Sequence, residues 1–366
     1  MTLGILFCEM AVVEQFEMGL ADSIIQEYGI KVDATKPATL NRTVLQKDTR
    51  IYKVEYSPLN AYIIDTPMTR RIACHPHVVG DELESLVKQA AERSYPAILE
   101  LSGKDAREKD TEVVFEQILR AAPGYQLHRA ADKAAPHSFK TVYVRPRYTH
   151  TSYRDHDGMV QRQLNIVYED FSALPASKDI FLIMQDTVAS SRSAEISIRA
   201  ALDRCERTGS KIKKWILYGF ISLEGLKLLD KLANSLGIPL IAFAMGNLTA
   251  LCANNYDMPL FGVDEWLWQK EHSVHKLGAL VDETTFKEYL REFIPGSDQP
   301  GDWSARQTKL FNGTGYENGN IAGHLENSIR LIKSLIEIGN LNTWQKKLAN
   351  DELGHLTRKL EKSRAI

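Results

Sequence analysis

Between residues 95 and 265 the chain repeats one pattern: a short apolar run without alternation, a turn, and a stretch with helical spacing. No other feature restricts the fold as much. Ile180–Met184 is followed by a helical pattern to about Arg207, and Lys214–Tyr218 by another over Glu224–Leu236. A third apolar run, Pro239–Phe243, comes next. Strands that are apolar on both sides need cover on both faces, and strands separated by helices run parallel. The expected core is therefore α/β, a parallel sheet with helices on both faces.

The same reading extends upstream. Ala97–Leu101 is expected as the first core strand, Thr111–Ala121 as a helix, and Tyr125–Leu127 and Thr141–Val144 as further strands. Residues 1–94 read as an N-terminal α+β extension: a helix ending at Tyr28-Gly29, strands over Arg50–Tyr56 and Ala61–Ile64, and a helix over Asp81–Arg93. The core is set at 95–270. Residues 271–366 read as a C-terminal helical extension, with a loop over Asn312–Gly319 and helices over Ile321–Ile338 and Leu341–Lys362. Leu325, Ile329, Ile332, Leu335 and Ile336 fall on one face of the first of these helices, which suits packing or a homo-oligomer.

Composition narrows the class. The 366 residues are 44% hydrophobic and 25% charged, as in a soluble globular protein. A net charge of -2 supplies no global field for nucleic acid, so that partner is not expected. The four cysteines form no CxxC pair, which argues against zinc and disulfide frameworks and for a reducing cytoplasm. The apolar run Leu3–Cys8 is followed at once by Glu9, Glu14 and Glu17, so a signal peptide is not expected. No uncharged stretch is long enough to span a bilayer, and no membrane partner is expected. GxSxG, HExxH and Walker A motifs are absent.

The most specific local signal is Phe181–Ser193. An apolar strand ends in Gln185-Asp186, a turn rich in hydroxyls follows, and helix begins near Ala194. A carboxylate at a strand's carboxyl end beside a helix N-terminus suits a phosphorylated sugar. Gln185-Asp186-Thr187-Val188-Ala189-Ser190-Ser191-Arg192-Ser193 resembles, position by position, the signature of the type I phosphoribosyltransferases. That signature is an acidic pair, two apolar residues and a Thr-Thr-Gly-Gly-Thr-like turn.

The resemblance implies a phosphoribosyltransferase-like fold, closest in layout to uracil phosphoribosyltransferase, that binds phosphoribosyl diphosphate (PRPP) with Mg2+. It implies that Asp186 holds the ribose with Gln185 as a neutral partner. Ser190, Ser191 and Ser193 would bind the 5-phosphate, with Arg192 adding charge. By the same resemblance, Ser102-Gly103-Lys104 stands where the family has its diphosphate loop, with Lys104 as a point charge. The polar, aromatic and basic stretch Arg145–Gly158 reads as a mobile loop or hairpin tip. It would close over the leaving group through Arg145, Arg147 and Arg154. Tyr218–Leu226 and Asp257–Glu265 match later segments of the family, which places Asn247 and Asp264 near a nitrogenous base. Asp186, Lys104 and Arg154 are the implied catalytic residues.

The chain departs from the signature at Gln185, where a second carboxylate stands in the family, and at Ser191 and Arg192, where glycines stand. These departures keep open a ligand-binding regulator or a structural assembly subunit that retains the fold. Simpler readings exist for each motif: an N-capped helix at 185–193, an ordinary turn at 102–104, a solvated hairpin at 145–158. Cys74-His75-Pro76-His77 invites a metal, but no companion pair follows at ligand spacing, so no metal ligands are assigned. His272 and His275 read as structural or surface residues.

Overall fold

The computed structural model describes residues 19–40, 48–103, 111–153 and 156–364, with backbone alone over 149–162. Helix α1 (residues 19–28) leads into β1 (Thr35–Pro37), β2 (Arg50–Val54), β3 (Ala61–Asp65), α2 (Pro67–Cys74) and α3 (Asp81–Leu101). Next come β4 (Thr111–Ile118), a short 3-10 turn (Ala122–Tyr125), α4 (Leu127–Ala134), β5 (Lys140–Tyr153) and β6 (His156–Asp170). The chain continues through β7 (Asp179–Gln185), α5 (Arg192–Thr208), β8 (Lys211–Ser222), α6 (Leu223–Leu236) and β9 (Leu240–Thr249). It closes with β10 (Phe261–Val263), α7 (Glu265–Glu271), β11 (Lys276–Gly278), α8 (Glu283–Leu290), β12 (Lys309–Phe311), β13 (Tyr316–Asn318), α9 (Ile321–Ile338) and α10 (Thr343–Arg364).

One nine-stranded sheet organises the molecule, in the order β1-β2-β3-β9-β8-β7-β4-β5-β6. The six strands from β3 to β5 in that order run parallel, β6 pairs antiparallel with β5 at one edge, and at the other edge β2 pairs antiparallel with both β3 and β1. In β7, Ile180 through Met184 are all buried, as strands covered on both faces must be. Phe181 and Ile183 pack toward α3 and α4, whereas Leu182 and Met184 pack toward α5 and α6. Ser222 caps α6 by accepting from the Gly225 amide, and Gly209 and Gly237 close α5 and α6 in the left-handed conformation.

Several upstream expectations are corrected. Ala97–Leu101 is the last turn of α3, which runs through Pro96. Thr111–Ala121 is not a helix: Thr111–Ile118 is β4, seated between β7 and β5. Tyr125–Leu127 belongs to the 3-10 turn and the start of α4 rather than to a strand. Residues 35–65 supply three strands of the main sheet, and position 94 falls inside α3, so the 94/95 boundary cuts no structural joint. The helix expected over Ile321–Ile338 is α9, with Leu325, Ile332 and Leu335 packed into a separate cluster with α10.

The connectivity reverses between β4 and β7. From β7 the chain moves through α5 to β8 on one side, and from β4 through α4 to β5 on the other. A crevice opens outside the carboxyl ends of strands at such a reversal. Asp186 follows β7 there, and Leu119-Arg120 follows β4.

Candidate functional site

The turn after β7 is clamped onto β8. The Asp186 amide donates to the Tyr218 carbonyl at 3.0 Å and the Val188 amide to that of Phe220 at 2.8 Å. Ser222 returns the contact, its amide donating to Val188 O and its hydroxyl to Ala189 O at 2.6 Å. Gly219 makes this approach possible, because a Cβ there would lie 2.0 Å from the Asp186 carbonyl oxygen and φ is +151°. Thr187 and Tyr125 share a hydrogen bond between their hydroxyls at 2.5 Å, and the Tyr125 ring stacks on Trp303 with centroids 4.5 Å apart.

The chain then leaves the sheet at Ser190 and turns through Ser191, a left-handed residue with φ +66°. Helix α5 starts at Arg192 without a side-chain cap, and its first helical bond runs from the Glu195 amide to Ser191 O. The amides of Arg192, Ser193 and Ala194 thus have no intrahelical partner and form the positive end of a 17-residue helix. Asp186 through Ala194 line a recess of about 100 Å³, with Tyr148 of β5 and Asn255 and Tyr256 on its other walls. Ser191 is buried, Ser190 and Ser193 are half-buried, and Arg192 is exposed.

Asp186 is 7% exposed, and burial pushes its carboxyl up to about 7 against the pull of the Thr187 amide. Beneath it, Glu116 of β4 is fully buried with neither carboxyl oxygen hydrogen-bonded. Burial, and then the charge of Asp186, push Glu116 up to about 8. The sequence reading missed this second carboxyl by placing it on a helix. Its signal was a lone acid inside the apolar run Val113–Ile118.

Gln185 turns the other way. Its Oε1 accepts from the Leu127 amide at 2.9 Å, and its Nε2 donates to Gln117 Oε1 at 2.7 Å and His128 Nδ1 at 2.9 Å. Burial, followed by the Arg129 charge, holds His128 down at about 4, which suits an accepting Nδ1. The expected neutral ribose partner is therefore an internal strut between β7, β4 and α4.

Ser102 and Gly103 are not at the crevice. They follow α3, not a strand, and Lys214 at the start of β8 donates to the Ser102 carbonyl. That is the amino end of the sheet, on the order of 15 Å from Asp186 at the usual strand rise. The segment that does lie at the carboxyl end beside the turn is Leu119-Arg120, another feature the sequence reading missed. Arg120 donates to Glu317 at 2.6 Å and lines a cleft of about 390 Å³ with Gln117, His128, Arg129 and Lys309.

The β5–β6 hairpin extends beyond the end of β4, since Ile118 pairs with Val144 and β5 continues to Tyr153. A hairpin was one of the two expected forms of 145–158. Arg145 donates to Asn312 O at 3.1 Å and lies 3.5 Å from Glu317, so the β12–β13 hairpin holds it. Arg147 is exposed. Lys104 and Arg154 lie outside the described residues. Asn247 and Gln299 exchange amide hydrogen bonds at 2.8 and 3.2 Å. Asp264 caps α7, accepting from the Leu267 and Ala253 amides. Both residues expected near a base are buried and engaged in structural bonds.

No protein-family model matches the chain, and no curated protein matches it in sequence. Among solved structures it is similar to adenine phosphoribosyltransferase from Leishmania donovani, at 11% identity over 55% of this chain and 89% of that chain, TM-score 0.30. It is also similar to the hypoxanthine-guanine enzyme from L. donovani, at 16% identity over 44% and 82%, TM-score 0.26. A third is orotate phosphoribosyltransferase from Francisella tularensis, at 14% identity over 58% and 75%, TM-score 0.26. In this chain an acidic strand end, a hydroxyl-rich turn at a helix N-terminus and an overhanging hairpin meet at one end of the sheet. No helix among the described residues is long and apolar enough to cross a membrane.

Proposed function

We propose that this chain is a phosphoribosyltransferase-like protein that binds phosphoribosyl diphosphate with Mg2+ and transfers its phosphoribosyl group to a nitrogenous base. One observation carries the reading: the uncapped N-terminus of α5 opens at the reversal point of the sheet, immediately after the buried carboxyl of Asp186. The amides of Arg192–Ala194 and the hydroxyls of Ser190 and Ser193 take the 5-phosphate, and Arg192 adds charge from the rim. Asp186 accepts from a ribose hydroxyl. Ligand binding and the cation raise its share of the ionised form by adding donors and positive charge around it.

Departure of diphosphate leaves oxocarbenium character at the anomeric carbon, and the carboxylate of Asp186 stabilises that charge. Arg120, Arg147 and, beyond the described residues, Arg154 are the cations assigned to the leaving group, while Lys104 is not assigned, because Ser102 and Gly103 beside it stand at the other end of the sheet. A carboxylate oxygen is a donor that suits a hard cation, so Asp186 is the residue that would hold Mg2+. When bound, the ion neutralises diphosphate charge. Asn247 and Asp264 are not assigned to the base, because their polar atoms are engaged elsewhere. The protein is expected to act as a cytoplasmic homo-oligomer.

A second reading has one observation in its favour. Gln185 is saturated by Leu127, Gln117 and His128 and cannot turn to a ribose without breaking three hydrogen bonds. A regulator or assembly subunit that binds the sugar phosphate without transferring it fits that arrangement. Calorimetry with phosphoribosyl diphosphate and Mg2+, beside ribose 5-phosphate, tests the site. Turnover on a panel of purine and pyrimidine bases tests the chemistry. The proposal expects binding and transfer, with transfer abolished in Asp186→Ala. Binding without turnover moves the protein to the second reading. Binding of neither ligand overturns both.

A further inference from the structure

We propose that His75, His77 and Glu352 form a binding site for a divalent transition-metal ion, zinc by its ligand chemistry, that fastens the C-terminal helix pair to the sheet domain. The three residues offer ligand atoms within 4.8 Å of one another. Glu352 on α10 is buried, and its two carboxylate oxygens converge on the Nδ1 atoms of His75, at 3.2 Å, and of His77, at 2.7 and 2.8 Å. Two imidazoles and a carboxylate form a common zinc donor set, and around a tetrahedral ion such ligand atoms stand about 3.4 Å apart. The His75 separation already matches. The His77 separation needs an opening of well under 1 Å, with the fourth position left to water.

The outer contacts orient the donors. The far ring nitrogen of His75, Nε2, faces Glu292 at 3.3 Å. The Nε2–H of His75 donates to that carboxylate, the kind of outer contact that metal-bound histidines use, and this leaves Nδ1 facing Glu352. An ion entering there takes the place of the proton that Nδ1 shares with the carboxylate, which is released to solvent.

The loop that carries both histidines is held rigid from behind. The fully buried Arg306 donates to the carbonyls of Ile72, His75 and Val78, and the His324 ring meets Pro76 O at 2.9 Å. The site is thus preorganised before any ion arrives. His75 remains 23% exposed at its side chain, which leaves a path for the ion.

The full chain, stripped with a chelator, is titrated with zinc chloride by calorimetry, and cobalt(II) absorption reads the coordination geometry. One equivalent per chain, a rise in Tm on zinc addition and intense tetrahedral cobalt bands are expected. His77→Ala and Glu352→Gln each weaken zinc binding by roughly ten-fold or more. Absence of zinc binding by the wild type overturns the site, as does equal affinity in folded His77→Ala. If circular dichroism shows that His77→Ala is unfolded, Glu352→Gln decides, because its amide can keep contact with both rings while losing the metal-binding charge. A histidine–glutamate ion pair alone predicts no zinc-dependent change in Tm.

Discussion

Glu116 and Asp186 put two buried carboxyl groups on the same face of adjacent parallel strands. Glu116 pairs in register with Met184, and side chains two residues apart along a strand share a face. Glu116 is pushed up to about 8 and Asp186 to about 7, both mainly by burial. A second carboxyl thus stands near the candidate site, supplied by the neighbouring strand rather than by position 185.

The pair sets a pH dependence of stability. A carboxyl raised in the folded state contributes stability fully below its unfolded value, about 4, and loses it as pH rises through the folded value. Between pH 4 and 8 the wild type should therefore weaken. Glu116→Gln should flatten that decline, with a gain of roughly 2 kcal/mol at pH 8 and little difference at pH 4. Urea denaturation midpoints across this range check it, and parallel curves for the two proteins would exclude an ionisable role for Glu116.

Ser191 pays the usual steric penalty of a left-handed residue in a turn where its hydroxyl makes no cap. Ser191→Gly should stabilise the fold by about 0.5–1 kcal/mol. Phosphate affinity should stay within about two-fold if the α5 amides carry the contact. Thermal melts and calorimetry with ribose 5-phosphate measure the two effects separately. A large loss of affinity would shift the phosphate contact to the serine hydroxyl.

Arg306 is fully buried and donates to the carbonyls of Ile72, His75, Val78, Gln299 and Pro300. Arg306→Met keeps much of the volume but leaves these acceptors without donors. A loss of about 3–5 kcal/mol is expected in urea unfolding. A loss below about 1 kcal/mol would mean that water replaces the guanidinium and that the 72–78 loop is not held by it.

The downstream alternation was legible because its signals are local. In Ile180–Met184, Lys214–Tyr218 and Pro239–Phe243 the apolar runs are short and uninterrupted, and the helices between them carry their own caps at Ser222, Gly209 and Gly237. The strand-turn-helix at 181–193 belongs to the same class, since strand, turn and helix start are adjacent in the chain. Thr111–Ala121 failed for a physical reason: Val114 and Ile118 are four residues apart, a spacing that places side chains on one face in a helix and in a strand alike. With that segment misplaced, neither Glu116 nor Arg120 could be seen at the crevice.

The sequence by itself determined an α/β parallel core, the turn at Asp186–Ser193 and the α9 helix, because periodicity and capping act over a few residues. Only the tertiary structure decided that residues 35–65 join the same sheet, and that Gln185 faces inward while Glu116 lies under Asp186. It also brought Glu352 to His75 and His77 across about 275 positions of chain. Such contacts depend on which faces are buried against which, a property of the packed whole that no local spacing encodes.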